Sequence, residues 1–370
     1  MKTALVHDWL VSPVGGAENT LKEILTLYPS APIHTLLWNP KAFEQTPFAN
    51  AEVHTSFIQK MPKAIDKFRK YLPLFPLAIE QFDLSAYDLI LSSSHCVAKG
   101  VLTHSEQTHI CYCHTPMRYA WDLCHEYLRN ANLERGVKGA LARFFLHYLR
   151  NWDANSARRV DHFIANSHFV ARRIQKLYGR EPEVIYPPVD TRFFSLCEKK
   201  ENYYLTSSRL VPYKKIDLIV EAFTYLPDQK LVIIGDGPEA EKIKKMAPQN
   251  VEFLGYQSNE TLREHMQKAK AFLFAALEDF GITPIEAMSC GTPVIALGKG
   301  GTAETVLHEK TGLHFANQTA LEIQNAVLAF EKIQDRFDPK QIHEHALSFN
   351  AERFRSQLSQ FIFENSLRSR

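Results

Sequence analysis

The sequence predicts an α/β chain of two Rossmann-like units with parallel sheets, and three observations carry that prediction. At 370 residues the chain is long enough for two separate cores. Short apolar runs, each followed by a glycine or polar turn and then an amphipathic helix, recur along its length. In the second half the β, α, β, α alternation is regular, which calls for a parallel sheet with helices on both faces. Apolar content of 45% marks a globular chain, and a net charge of +2 argues against a dedicated nucleic-acid binder, in which phosphate neutralisation shows as a strong basic excess.

The first strand is Thr3-Ala-Leu-Val-His7, and Val14-Gly15-Gly16-Ala17-Glu18 opens a helix with Leu21, Ile24, Leu25 and Tyr28 on one face. The apolar run at the N-terminus is too short for a signal peptide and no segment approaches eighteen uninterrupted apolar residues, so a cytoplasmic location is expected. Gly15-Gly16 lacks the G-x-G-x-x-G spacing of dinucleotide folds, which removes the main support for hydride transfer; on sequence alone it reads equally as an ordinary tight turn. Two stretches have an interfacial composition, with cations interleaved among apolar residues: 60–75, and 128–150. Each fits either a helix packed on the core or a peripheral contact with anionic membrane.

Tyr87–Ser93 and Thr108–Tyr112 read as buried strands, the second running into Cys113-His114-Thr115-Pro116. Ligands of open α/β sheets bind at the carboxyl ends of strands, which gives His114 a physical reason to be functional against the commoner structural role. Cys111, Cys113 and His114, with Cys124 beyond, match no common zinc spacing; the six cysteines read as small apolar residues in a reducing compartment. Asp161–Ser167 is another strand and turn, with Ser167 placed to cap the next helix. Glu183-Val-Ile-Tyr-Pro187-Pro188-Val-Asp190 makes a stiff connection that closes the first half.

The second half begins with the strand Tyr203–Ser208, followed by Arg209 and by Lys214-Lys215 before a helix. A helix N-terminus disfavours positive charge, so these cations are better explained by an anion, the fork of Arg209 clamping it and Lys214 adding a point charge. Lys230–Ile234 with Gly235 and Gly237, and Val251–Gly255 with Tyr256, are further strands ending in glycine turns. Ala271–Ala276 is a buried strand that leads to Glu278 and the loop Phe280-Gly281-Ile282-Thr283, whose amides are available to an anion. Thr283 as N-cap, Pro284 at the first helical position and Glu286 at the third also form a capping box, in which Glu286 merely bonds back to the helix start. Pro293–Leu297 and Gly298–Gly301 supply one more strand and turn, and Asn350–Leu367 reads as a terminal helix with Phe354, Leu358, Phe361 and Ile362 at helical spacing.

Glu278-x7-Glu286, with Phe280-Gly281 just after the first Glu, resembles the signature of retaining, GT-B fold glycosyltransferases of family 4. Gly15-Gly16 with Glu18, His114, and Arg209 with Lys214 five residues on fall in that family's order. The string His114-Thr-Pro-Met-Arg-Tyr-x-Trp121-Asp122 is similar to a branch that includes bacterial O-antigen mannosyltransferases. This resemblance implies a GT-B architecture: an acceptor-side domain over 1–190, a nucleotide-sugar domain over 191–345, and a tail helix over 346–370 crossing back to the first domain, with the sheets facing a central cleft. It implies transfer of a hexose, mannose from GDP-mannose by the branch, to a saccharide or lipid-linked glycan. In that picture His114 hydrogen-bonds the donor hexose, and Gly15 and Gly16 line the cleft. Arg209 and Lys214 hold the diphosphate, with Lys215 standing where many members have Gly. Gly235, Gly237 and Tyr256 line the nucleotide pocket, Glu278 contacts the hexose and Glu286 the ribose. The chain contains no Asp-x-Asp, so a metal-independent mechanism without cofactor is expected. A UDP-sugar transferase, an epimerase or phosphorylase on the same fold, and a non-catalytic sugar-nucleotide binder are the alternatives.

Overall fold

The computed structural model describes residues 1–13 and 15–366; Val14 and Leu367, both named above, lie outside the described residues. It divides into two compact units, one of residues 1–188 with 354–370 and the other of 189–353.

The first unit contains a seven-stranded parallel sheet: β1 (Thr3–His7), β2 (Ile33–Thr35), β3 (Val53–Thr55), β4 (Leu89–Ser94), β5 (Thr108–Cys113), β6 (His162–Ala165) and β7 (Glu183–Val184), in the order β3-β2-β1-β4-β5-β6-β7. β1, β4 and β5 are buried on both faces, as expected of central parallel strands covered by helices. The helix Gly16–Leu27 buries Leu21, Ile24 and Leu25, the face its apolar spacing gives. Ser167 caps the helix His168–Tyr178, its hydroxyl accepting from the Val170 amide at 3.0 Å. The terminal helix Ala351–Ser366 buries Phe354, Leu358 and Ile362 in the core that contains Leu5, Leu21 and Ile33, so its apolar stripe belongs to the first unit's packing.

The second unit holds a six-stranded parallel sheet of β8 (Glu201–Ser207), β9 (Leu231–Ile234), β10 (Val251–Gly255), β11 (Ala269–Phe274), β12 (Val294–Leu297) and β13 (Gly312–Phe315), ordered β10-β9-β8-β11-β12-β13. Each sheet has one place where successive crossovers turn from one side to the other. In the first unit this is the β1/β4 boundary, and in the second β8/β11. Such a switch point leaves a crevice outside the strands' carboxyl ends, so the loops after β1, β4, β8 and β11 are where ligands of this topology bind.

The stretch 60–75 resolves into short helical turns whose Phe68 and Phe75 are buried in the first unit's core, with Ile65, Tyr71 and Leu72 packed against it. Its cations point to solvent while its apolar side chains, Leu74 apart, pack on that core, which favours the core-packing reading of this stretch. The stretch 128–150 instead spans two helices, Cys124–Asn130 and Gly136–Ser156. The second carries Val137, Leu141, Phe144 and Tyr148 at 87%, 54%, 65% and 42% exposure. These lie at i, i+4, i+7 and i+11 and so form one stripe on the face turned away from the core. Among the described residues no helix is long and apolar enough to cross a membrane.

Candidate functional site

In the first unit, β1 and β4 lie in parallel register with His7 opposite Ser93, so the residues that follow each strand emerge side by side. Asp8, fully buried, accepts the backbone amides of His95, Cys96, Val97 and Ala98 at 2.6–3.0 Å. His95 Nδ1 stands 2.8 Å from the same carboxylate. Burial alone disfavours the charge on Asp8, yet His95 and the donors around it outweigh that and hold its carboxyl well below the usual range. Burial likewise pulls His95 down, but the carboxylates of Asp8 and Glu18 raise it above its ordinary value. Glu18 itself is pushed up by burial. The Glu18 carboxylate folds back over Gly15, where a Cβ would meet Oε2 at 2.1 Å, so a side chain at 15 would push that carboxylate aside. Gly16 is the first residue of the helix.

His114 follows β5 and joins this cluster. Its Nε2 is 2.9 Å from Ser93 Oγ, which is 3.2 Å from His7 Nδ1. His114 is kept neutral first by burial and then by the neighbouring His95 and His7, which lower its pKa well below 6.5. His7 is lowered to about 4 by burial and by His95. The rest of the string around His114 serves the scaffold. Met117 and Ala120 are core residues, Tyr119 Oη contacts Cys96 Sγ at 2.9 Å, Trp121 donates to the buried Asp153, and Asp122 pairs with Arg173. Cys111 and Cys113 are buried in an apolar cluster with Phe163 and Val170. Asp8 and His95 were not picked out in the sequence. No motif links positions 8 and 95; only the parallel pairing of β1 with β4 does.

In the second unit, Lys214 Nζ lies 2.7 Å from Glu278 Oε1, an ion pair that spans the switch point between the loop after β8 and the loop after β11. Both side chains are about one-fifth exposed, Lys214 at 20% and Glu278 at 18%, so the pair is reachable by a ligand. Arg209 stands exposed in the same loop and enters no side-chain hydrogen bond or ion pair among the described residues. Lys215 is forced into the left-handed region, with φ 57° at the start of the helix Ile216–Thr224. Glycine adopts this region without steric cost, so Lys215→Gly is expected to raise unfolding free energy by about 0.5–1 kcal/mol, read from a denaturant midpoint. An unchanged or lower midpoint would mean that Lys215 makes a compensating contact.

Gly235 and Gly237 sit directly against the β8 loop. A Cβ at 235 would lie 1.9 Å from Ser208 O, and one at 237 would lie 2.4 Å from Leu210 O. These glycines let the loops after β8 and β9 touch backbone to backbone, which places Arg209 beside the glycine turn. Tyr256, just past β10, is 79% exposed.

Three details around Glu278 and Glu286 depart from the sequence reading. β11 ends at Phe274 rather than Ala276, so Glu278 stands further along the loop beyond the strand. That loop is held by the turn after β12, where the Gly301 amide donates to Glu278 O at 2.9 Å. The following helix starts at Ile282 with Gly281 as N-cap at φ 90°, not at Thr283. Thr283 and Pro284 are therefore already inside the first turn, Glu286 is the fifth helical residue, and no capping box forms. A glycine able to adopt positive φ lets the helix begin two residues earlier than a capping threonine would. Glu286 is thereby left without its structural duty, and burial, with Asp190 nearby, pushes its carboxyl up to about 7. Phe280 is a packing residue, buried with its ring edge-on to Phe349.

Comparison with known proteins places both halves. Residues 14–193 match the model of Glycosyltransferase Family 4, and residues 190–351 match that of Glycosyl transferases group 1. A GDP-mannose-dependent alpha-(1-6)-phosphatidylinositol monomannoside mannosyltransferase of Mycolicibacterium smegmatis is 37% identical over 177 residues, 40% of this chain and 46% of that protein. The Mycobacterium tuberculosis protein of the same description is 30% identical over 201 residues, 46% of this chain and 52% of the relative. The chain thus spans about half the length of the curated relatives it matches. Among solved structures, sucrose-phosphate synthase of Thermosynechococcus elongatus superposes with a TM-score of 0.75 at 17% identity, covering 98% of this chain and 99% of that one. Anabaena HepE in complex with UDP gives 0.71 at 19%, covering 98% and 100%. At such identities the likeness speaks for the fold alone, two parallel-sheet units of GT-B type. With one family model on each half and the fold in common, the chain belongs to the family 4 glycosyltransferases of GT-B fold.

Proposed function

We propose that the protein is a retaining hexosyltransferase that moves mannose from GDP-mannose to a saccharide or lipid-linked glycan acceptor. The observation that carries this reading is the Lys214–Glu278 pair at the β8/β11 switch point, with Arg209 exposed in the same loop. Departure of a nucleoside diphosphate builds negative charge on phosphate while the sugar becomes oxocarbenium-like. Arg209 and Lys214 answer the first change, because cations fixed where charge develops stabilise the transition state more than the ground state. Glu278 accepts hydrogen bonds from hexose hydroxyls once Lys214 turns to the diphosphate, and Glu286 accepts from the ribose. Backbone amides of the loop Phe280–Thr283 and of Gly15 and Gly16 are assigned to the phosphates and the sugar, and His114 to a hexose hydroxyl. No carboxylate is assigned as nucleophile; retention proceeds on one face of the sugar, a phosphate oxygen taking the acceptor's proton.

Mannose is supported by the GDP-mannose dependence of the mycobacterial relatives, whereas HepE was solved with UDP. The base is therefore the sharpest test. Thermal stability is to be measured with GDP, UDP, ADP and their sugars, where a ligand at a hundred times its dissociation constant adds about 2.7 kcal/mol. A shift selective for GDP and GDP-mannose, and transfer that survives EDTA, are the expected results. A UDP-selective shift would replace mannose by another hexose, and loss of transfer in EDTA would overturn the assignment of diphosphate neutralisation to protein cations. Binding without transfer to any acceptor and without hydrolysis would favour the non-catalytic alternative.

A lipid-linked acceptor requires access to a membrane surface, and the stripe Val137–Tyr148, flanked by Arg135, Lys138 and Arg143, has the composition for it. Flotation with phosphatidylglycerol vesicles is expected to carry the protein at low salt, and Phe144→Ser to lower the bound fraction several-fold. Absence of binding at low salt would remove the membrane from the proposal.

A further inference from the structure

Three imidazoles and a hydroxyl meet at the β1/β4 switch point, and one geometric detail in that cluster fixes where a proton sits. His7 is fully buried, and its Nε2 has no hydrogen-bond partner among the described residues. Its other nitrogen, Nδ1, is 3.2 Å from Ser93 Oγ, and the same hydroxyl is 2.9 Å from His114 Nε2. A serine hydroxyl has one proton, so it donates to one ring and accepts from the other. The two histidines are therefore locked into complementary tautomers.

The orphan atom selects between the two arrangements. A buried N–H without an acceptor is rarer and costlier than a buried lone pair without a donor. The proton of His7 accordingly belongs on Nδ1, donating to Ser93, and leaves a bare lone pair at Nε2. Ser93 then donates to His114 Nε2, and the proton of His114 is left on Nδ1. We infer that His114 acts on its ligand as a neutral N–H donor through Nδ1, not as a base, and that Ser93 and His7 are the positioning residues that set this tautomer. This deepens the proposed function, since it rests on the reading of His114 as a contact to the hexose, and it specifies the chemistry of that contact: an acceptor oxygen of the sugar, not a hydroxyl that must surrender its proton. His7 does not serve as a terminal base behind His114, because burial and the neighbouring His95 outweigh the Asp8 carboxylate and keep its ring neutral. Asp8, the nearest carboxylate, is already occupied by His95 and four amides.

The test is the long-range nitrogen–proton correlation pattern of the His114 ring in histidine-labelled protein, assigned by its disappearance in His114→Asn. The wild-type ring is expected as a single tautomer protonated at Nδ1. Ser93→Ala removes the relay and is expected to turn it into a mixture, with kcat lowered about tenfold while KM for the donor changes less, the size of one hydrogen bond. Ser93→Thr keeps the hydroxyl and is expected to preserve both the tautomer and the rate. His7→Asn, whose amide still donates, is expected to retain the pattern, and His7→Leu to lose it. A wild-type ring protonated at Nε2, or a pattern unmoved by Ser93→Ala, overturns the lock whatever the activity does. If the tautomer behaves as stated but His114→Ala leaves transfer unchanged, the functional reading of His114 fails and the lock stands.

Discussion

Lys214→Ala is expected to lower the rate of sugar transfer by about 10²–10³-fold, with the larger part of the loss in kcat. The magnitude is that of removing one fixed electrostatic partner from a charge that grows toward the transition state. Lys214 is the group best placed for this role: it is flanked by the rings of Tyr213 and Phe274, 5.6 and 5.8 Å from its Nζ, and among the described residues its counter-ion is Glu278. In the absence of donor the two charges satisfy each other. A diphosphate offers Lys214 a stronger partner and releases Glu278 to accept from hydroxyls, so Glu278→Gln is expected to weaken transfer by a different route. It removes a sugar contact but also frees Lys214, so affinity for the nucleoside diphosphate alone is expected to hold or rise while transfer falls. Initial rates of nucleotide release, together with diphosphate affinity by calorimetry, separate the two variants. A Lys214→Ala protein that kept transfer within threefold of wild type would place the neutralising charge elsewhere, with Arg209 the first residue to examine.

In the second unit β8 to β12 were legible because each is a short apolar run closed by a glycine or polar turn, and β9, β10 and β12 fall within a residue or so of the runs that predicted them. β2 and β3 are three residues each, too short to show a period, and β13 is interrupted by His314 and opened by Gly312. The candidate residues of the second unit were readable for a related reason: each follows its own strand closely, so a strand end and a polar turn suffice to find it. The first unit's cluster obeys a different logic. Asp8, Glu18 and His95 have meaning only once β1 and β4 are paired, and their separation in sequence hides that. The string from His114 to Asp122 shows the converse. It stands out in the sequence as a unit, but Met117, Ala120, Trp121 and Asp122 are spent on the core and on ion pairs. At Glu286 the sequence offered a sound local explanation, the capping box, which the left-handed Gly281 removed by starting the helix earlier.

Trp121 leads to the largest stability effect expected in the molecule. Lys99 and Asp153 are both buried and meet at 2.5 Å, and Lys99 also donates to Ser156 Oγ at 3.1 Å. Asp153 Oδ2 accepts from Trp121 Nε1 at 2.7 Å and from Tyr178 Oη at 2.8 Å. The Lys99 ammonium is further flanked by the rings of Trp152 and Tyr178 at 5.3 and 5.2 Å. One carboxylate thus ties the turn after β4, the string after His114 and two helices together. Lys99→Met leaves that carboxylate buried without its cation, and removal of one partner from such a pair costs about 3–5 kcal/mol. For a unit of this size, at about 2–4 °C per kcal/mol, the thermal midpoint is expected to fall by roughly 10 °C. Charge repair alone does not restore it. Asp153→Leu added to Lys99→Met removes the unpaired charge but strands the Trp121 and Tyr178 donors, each at a cost of about 1–3 kcal/mol, so the double variant is expected to remain well below wild type. Calorimetry of the two variants reads this directly; a Lys99→Met midpoint within about 2 °C of wild type, or full recovery in the double variant, would show that the network is dispensable to the fold.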